Sequence, residues 1–173
     1  GIDIKPGVGP VVEKPITSSD DLPRLRPLDP EADVPYVLET VRNLVAELDV
    51  PLIGFAGAPF TVASYLIEGG PSKNKGKTKS MMLDNPHLFD QIMDRLADQA
   101  ISSLTAQVGA GASAVQLFDS WAGCLPPQMS DRHVMPARQM FFDALAFLRM
   151  PHFHFGVTTR VLLPLIPTAC HTS

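Results

Sequence analysis

The spacing of apolar residues changes repeatedly along the chain, and each change marks an element. Val34, Val37, Leu38, Val41, Leu44, Val45 and Leu48 recur at i, i+3, i+4 and i+7, the stripe of an amphipathic helix. Pro35 stands near its start, where a missing N–H costs little. The short run Val50-Pro-Leu-Ile-Gly-Phe predicts a buried strand. Ala58 to Ile67 follows as a helix that Gly69-Gly70-Pro71 stops. Asn85-Pro86 supplies a cap and a first-turn proline for a second long helix, carried by Leu88, Ile92, Leu96, Ala100, Leu104 and Val108 and ended by Gly109 and Gly111. Then the pattern repeats. Ala114-Val-Gln-Leu-Phe reads as a strand, Arg132 to Met150 as largely helical with Pro136 starting, kinking or dividing it, and His152-Phe-His-Phe-Gly as a third strand. The first thirty residues are broken by prolines and glycines, so Ile2–Ile4 and Pro10–Val12 are the only strand or hairpin candidates there.

Alternating strands and helices imply an α/β protein with a parallel sheet, either a barrel or a doubly wound sheet. In both, function gathers at the carboxyl ends of the strands. No GxGxxG or Walker word follows a strand, which counts against nucleotide binding. The 173 residues suit one domain, and a net charge of −4 gives no electrostatic footing for nucleic acid. No apolar run approaches the ~20 residues that span a bilayer, and the N-terminus lacks the order of a signal peptide. Cys124 and Cys170 do not make a disulfide framework, so the default is the reducing cytoplasm.

Two strand ends hold the candidate chemistry. The first reads Gly54-Phe55-Ala56-Gly57-Ala58-Pro59-Phe60, with Tyr65 and Glu68 beyond it. Its small residues could admit a ligand to the backbone or could serve a tight strand-to-helix turn alone. The second reads Gln116-Leu117-Phe118-Asp119-Ser120-Trp121-Ala122-Gly123 and contains the sole tryptophan. Asp119-Ser120 is as suited to capping a helix as to touching a ligand, and without a GxSxG elbow Ser120 is a poor hydrolase nucleophile. His152 and His154 alternate on one strand and share a face. With no cysteine nearby, a pair satisfied in the core is the plainer reading, against two metal ligands. His133 is expected on a helix surface. Lys73, Lys75, Lys77 and Lys79 are expected in a solvated loop, although four ammonium groups beside a site would attract a polyanion.

The words IKPGVGPVVEKPI, PLIGFAGAPFTVASYLIEGGPS, AGASAVQLFDSWAG and PHFHFGV, in this order, resemble uroporphyrinogen decarboxylase of the bacterial type. The resemblance implies a (β/α)8 barrel acting as a homodimer in tetrapyrrole synthesis. It implies removal of four acetate carboxyl groups, converting uroporphyrinogen to coproporphyrinogen without cofactor or metal. Carried over position by position, Tyr65 and Ser120 fall on substrate-binding positions, and Phe55 and Gly57 on the apolar wall of the cleft. The family's RQAGRY word and its S-D-I aspartate have no counterpart here, so no catalytic residue is assigned within this chain. The likeness runs over 1–157, and 158–173 reads as a divergent, proline-broken tail. The expectation is one partial barrel domain over 1–173, truncated and inactive alone. The rival readings are a corrinoid-type methyltransferase of the same superfamily, which the missing cysteine near His152–Gly156 disfavours, and a non-catalytic gene fragment.

Overall fold

The structure, a computed structural model, describes residues 2–146 and 150–157. The tail assigned to 158–173 lies outside the described residues. Glycine and proline set the start of the chain. β1 (Ile2–Lys5) and β2 (Gly9–Val12) form an antiparallel hairpin in which Ile2 faces Val12. Gly7 and Gly9 take φ of 73° and 99° in its turn, a region open to glycine and costly to other residues. The hairpin is tied down further along the chain, where Val12 N donates to Gly69 O at 2.9 Å and Ile16 N to Leu66 O at 2.9 Å.

After α1 (Pro30–Asp33), the predicted stripe forms α2 (Pro35–Glu47), with the proline in its first turn. Only half of that stripe packs. Leu38 and Val41 bury against Ala110 and Ala112, whereas Leu44, Val45 and Leu48 stay exposed.

β3 (Ile53–Gly57), β4 (Ala114–Asp119) and β5 (His152–Gly156) form a parallel sheet in that order, with Gly57 facing Phe118 and Asp119 facing Gly156. Between β3 and β4 run α3 (Pro59–Glu68), α4 (Gly76–Asp84) and α5 (Pro86–Gly109). Between β4 and β5 run α6 (Pro127–His133) and α7 (Met135–Ala146). Gly69 ends α3 with φ 90°, and the Asn85 side chain caps α5 by accepting from Leu88 N at 3.2 Å. Pro136 falls in the first turn of α7, so it divides the predicted helical stretch into two.

The helices cover one face of the sheet. Val115 and Leu117 of β4 bury against Ala100 and Leu104 of α5 and against Phe141, Phe142 and Leu145 of α7. A second core beside it joins Phe60, Phe89, Ile92 and Met93. Each such side chain is worth about 1.5–3 kcal/mol when buried. Among the described residues the cover is one-sided, as in a segment of a (β/α) barrel, where helices line only the outer face of the sheet. It also corrects the expectation of fully buried strands. The alternate residues Ile53, Phe55, Phe153 and Phe155 point away from the helices, and Phe55 is 63% exposed. Phe118 lies between Phe55 and Phe155, with ring centroids 5.7 and 5.4 Å away, forming an aromatic row across the open face. No helix among the described residues is long and apolar enough to cross a membrane.

Along β3, the side-chain amide of Gln107 in α5 takes the place of a neighbouring strand. Its Oε1 accepts from Phe55 N at 3.0 Å and its Nε2 donates to Phe55 O at 3.1 Å. Gly54 leaves room for this clasp, since a Cβ there would lie 2.8 Å from Gln107 Oε1. Gln107→Leu keeps the volume and removes both bonds. Urea denaturation is expected to show a loss of about 1–2 kcal/mol.

Candidate functional site

The carboxyl ends of β3 and β4 lie side by side because Ala58 N donates to Phe118 O at 2.8 Å just past the sheet. Gly57 is confined, since a Cβ there would meet Val62 Cγ2 at 2.8 Å. The turn after β4 carries Ser120 and Trp121, and α3 carries Tyr65. The tyrosine ring stacks on the Trp121 indole, with centroids 4.0 Å apart and planes 28° apart. Of the four residues singled out from the sequence, Tyr65 is thus brought against the Ser120–Trp121 turn. Gly57 sits opposite Phe118, and Phe55 lies edge-on to that same phenylalanine, one pleat deeper in the sheet.

Beneath this turn sits a buried polar cluster that the sequence did not disclose. Asp119 is 1% exposed and ion-paired with Arg138 of α7, which is 2% exposed. Thr61 Oγ1 donates to Asp119 Oδ1 at 3.1 Å and accepts from Trp121 N at 3.3 Å. His154 brings Nε2 to 3.5 Å from Asp119 Oδ2. That is an electrostatic contact, and Nε2 has no hydrogen-bond partner among the described residues. Burial pushes the Asp119 carboxyl upward, but His154 and the Arg138 guanidinium outweigh it and hold it below its ordinary value. Asp119 therefore caps no helix, and its carboxylate is taken up by Arg138, Thr61 and His154. It anchors the turn from which Ser120 and Trp121 project. The signals that could have found its partner are an arginine amid the apolar residues of α7 and an acid ending a core strand.

Two expectations about charged or polar residues need correction, and a third holds. The lysine run is not all solvated loop, because Lys77 and Lys79 belong to α4 and Lys75 is 6% exposed. The helix forms because the Glu68 carboxylate accepts from Thr78 N at 2.8 Å and Thr78 Oγ1 at 2.9 Å, an anchor supplied from outside its own segment. His133 is buried, not on the surface. Its Nδ1 lies 2.9 Å from Asp90 Oδ1 and its ring sits edge-on to Phe89. His152 and His154 do share a face, the helix-covered one, where both rings lie near Phe142. Among the described residues, no group of three or more His, Cys, Asp or Glu side chains could hold a metal.

The family described as Uroporphyrinogen decarboxylase (URO-D) matches residues 1–171. A uroporphyrinogen decarboxylase of Streptomyces avermitilis is 56% identical over 169 residues, which is 97% of this chain and 47% of that protein. One of Bacillus subtilis is 50% identical over 157 residues, 90% of this chain and 44% of that protein. The chain thus spans about half the length of the curated relatives it matches. Among solved structures, a methyltransferase from Methanosarcina mazei superposes with a TM-score of 0.66 over 91% of this chain and 46% of its own, at 20% identity. That likeness concerns the fold alone.

Arg138→Met strands a buried carboxylate and is expected to cost about 3–5 kcal/mol in urea unfolding, with Asp119→Leu/Arg138→Met costing less than the two single changes summed. The lowered carboxyl also sets a pH dependence. An acid held below its unfolded value of about 3.9 stabilises the fold above that value and loses this contribution as pH falls through the folded one. Asp119→Asn is therefore expected to flatten the acid limb of a stability–pH curve below about pH 4.

Proposed function

Because the chain belongs to the uroporphyrinogen decarboxylase family, we propose that it forms one wall of the cleft in which that reaction occurs. The substrate is uroporphyrinogen, and the product is coproporphyrinogen in haem and porphyrin synthesis. The reading rests on one observation above others: Tyr65 is stacked against the turn that presents Ser120, at the carboxyl end of parallel strands. That is where barrel sites are built. Tyr65 and Ser120 offer hydroxyl donors to a substrate carboxylate, and Phe55 and Gly57 line the apolar side. The whole of 1–173 is taken as part of one such domain.

The chemistry explains why such a site needs few reactive side chains. When an acetate carboxyl leaves as CO2, the C–C bond breaks and its electron pair needs an acceptor. A pyrrole protonated on a ring carbon accepts that pair. The methylene then takes up a proton to become methyl, and the ring releases the one it gained. No cofactor is required. The protein must hold a polycarboxylate and stabilise a transient cation, tasks suited to arginines and a buried aspartate. The family words bearing those groups have no counterpart in these 173 residues. The proposed role here is therefore binding, and the chain alone is proposed to be inactive. In complete form the protein is proposed to work as a cytoplasmic homodimer without nucleic acid. A methyltransferase reading gains no support, since no cysteine accompanies His152 and His154 along β5.

Two measurements test this. Purified chain given uroporphyrinogen under anaerobic, reducing conditions is expected to release no coproporphyrinogen; turnover near that of a full-length relative would refute the division of labour. Uroporphyrin, the oxidised form, is expected to bind, and Tyr65→Phe or Ser120→Ala to weaken it roughly tenfold, the worth of one hydrogen bond to a charged group. Unchanged affinity in both variants would remove these residues from the site.

A further inference from the structure

Of the four lysines between Lys73 and Lys79, one is folded inward. Lys75 is 6% exposed, and its Nζ stands 4.2 Å from the centroid of the Trp121 ring. The same ammonium donates to Ser72 O at 2.9 Å, and its backbone N donates to Ser72 Oγ at 3.0 Å. Tyr65 is stacked on the same indole at 4.0 Å, so Trp121 is held by an aromatic ring and by an ammonium together.

This arrangement is held against two unfavourable terms. Lys75 has φ 50°, the left-handed region that side chains other than glycine adopt at a cost, and it is the one non-glycine residue there among those described. It also withdraws an ammonium from water without a carboxylate partner among the described ion pairs. Gly76, the next residue, would suit the left-handed position better, yet the chain places the lysine there. Segments on both sides are pinned: Ser72 holds the loop, and Glu68 holds Thr78 one turn into α4. An indole face is the group that compensates a buried cation here, through attraction to its quadrupole.

The geometry points to Lys75 as a positioning residue, one that clamps Trp121 against Tyr65 and so fixes the tyrosine at the end of the sheet. Its importance for substrate rests on the reading of Tyr65 and Ser120 given above; the clamp itself does not. Trp121 is secured at its backbone by Thr61 and at its ring by Tyr65 and Lys75. Removing the cation takes away one of the two contacts on the indole and lets the ring leave the tyrosine.

Trp121 is the sole tryptophan, so its emission reads this contact directly. The full chain would be compared as wild type, Lys75→Met, Lys75→Arg and Lys73→Met, with far-ultraviolet circular dichroism confirming equal folding. Without ligand, acrylamide is expected to quench Lys75→Met at least twofold more strongly than wild type, with loss of the near-ultraviolet aromatic signal. Lys75→Arg and Lys73→Met are expected to match wild type, the first because a guanidinium also stacks on indole, the second because that lysine is exposed. Equal quenching in wild type and Lys75→Met would overturn the clamp, as would an equal rise in Lys73→Met. A titration with uroporphyrin forms the second arm, where Lys75→Met should bind at least fivefold more weakly and Lys75→Arg within twofold. Wild type that shows the clamp yet fails to bind uroporphyrin would refute the substrate reading and leave the clamp standing.

Discussion

The Asp119 carboxylate joins four elements at one buried point. It ends β4, pairs with Arg138 of α7, accepts from Thr61 of α3 and lies against His154 of β5. Buried charges are tolerated only when such partners surround them. The cluster therefore requires two helices and two strands to be docked together before any of its members is satisfied. The turn that follows inherits this fixity. Ser120 and Trp121 have a defined place because the residue before them cannot move without exposing an unpaired charge, and because Thr61 also binds the Trp121 backbone.

Much of this architecture was legible in the sequence because local signals agreed with the packing. The apolar stripes with first-turn prolines gave α2 and α5, the Gly-Gly-Pro stop bounded α3, and short apolar runs gave all three strands of the parallel sheet. Among the elements that escaped were α1, most of α6 and, most instructively, α4. Its residues Gly76–Asp84 carry four consecutive polar or charged positions, Lys77 to Ser80, in the first turns, and the helix is started by Glu68, eight or more residues away. A window of local sequence contains no trace of that anchor. The proximity of Tyr65 to Trp121 was hidden for the same reason, since it depends on two parallel strands lying in register.

The strands were misjudged in one respect for a different reason. An apolar run reads alike whether both of its faces are covered or one. In β3 and β5 the phenylalanines face away from the helices, and the histidines of β5 face toward them. Polar residues thus point into the helix-covered layer and aromatic ones into the open face, the reverse of what hydrophobicity alone would assign. His154 is accommodated there by Asp119, and His133 by Asp90. In both cases, a carboxylate distant in sequence decides where an imidazole can be buried.

The clasp of Gln107 on Phe55 settles where two main-chain groups of β3 find their partners. A parallel strand directs the N–H and C=O of a given residue to one side, so these two groups point away from β4 and would otherwise recruit a further strand. A single amide imitates the peptide group of such a strand and occupies both positions. Gln107 thereby satisfies the main chain of Phe55 at the outer edge of β3, beside the most exposed aromatic ring of the open face.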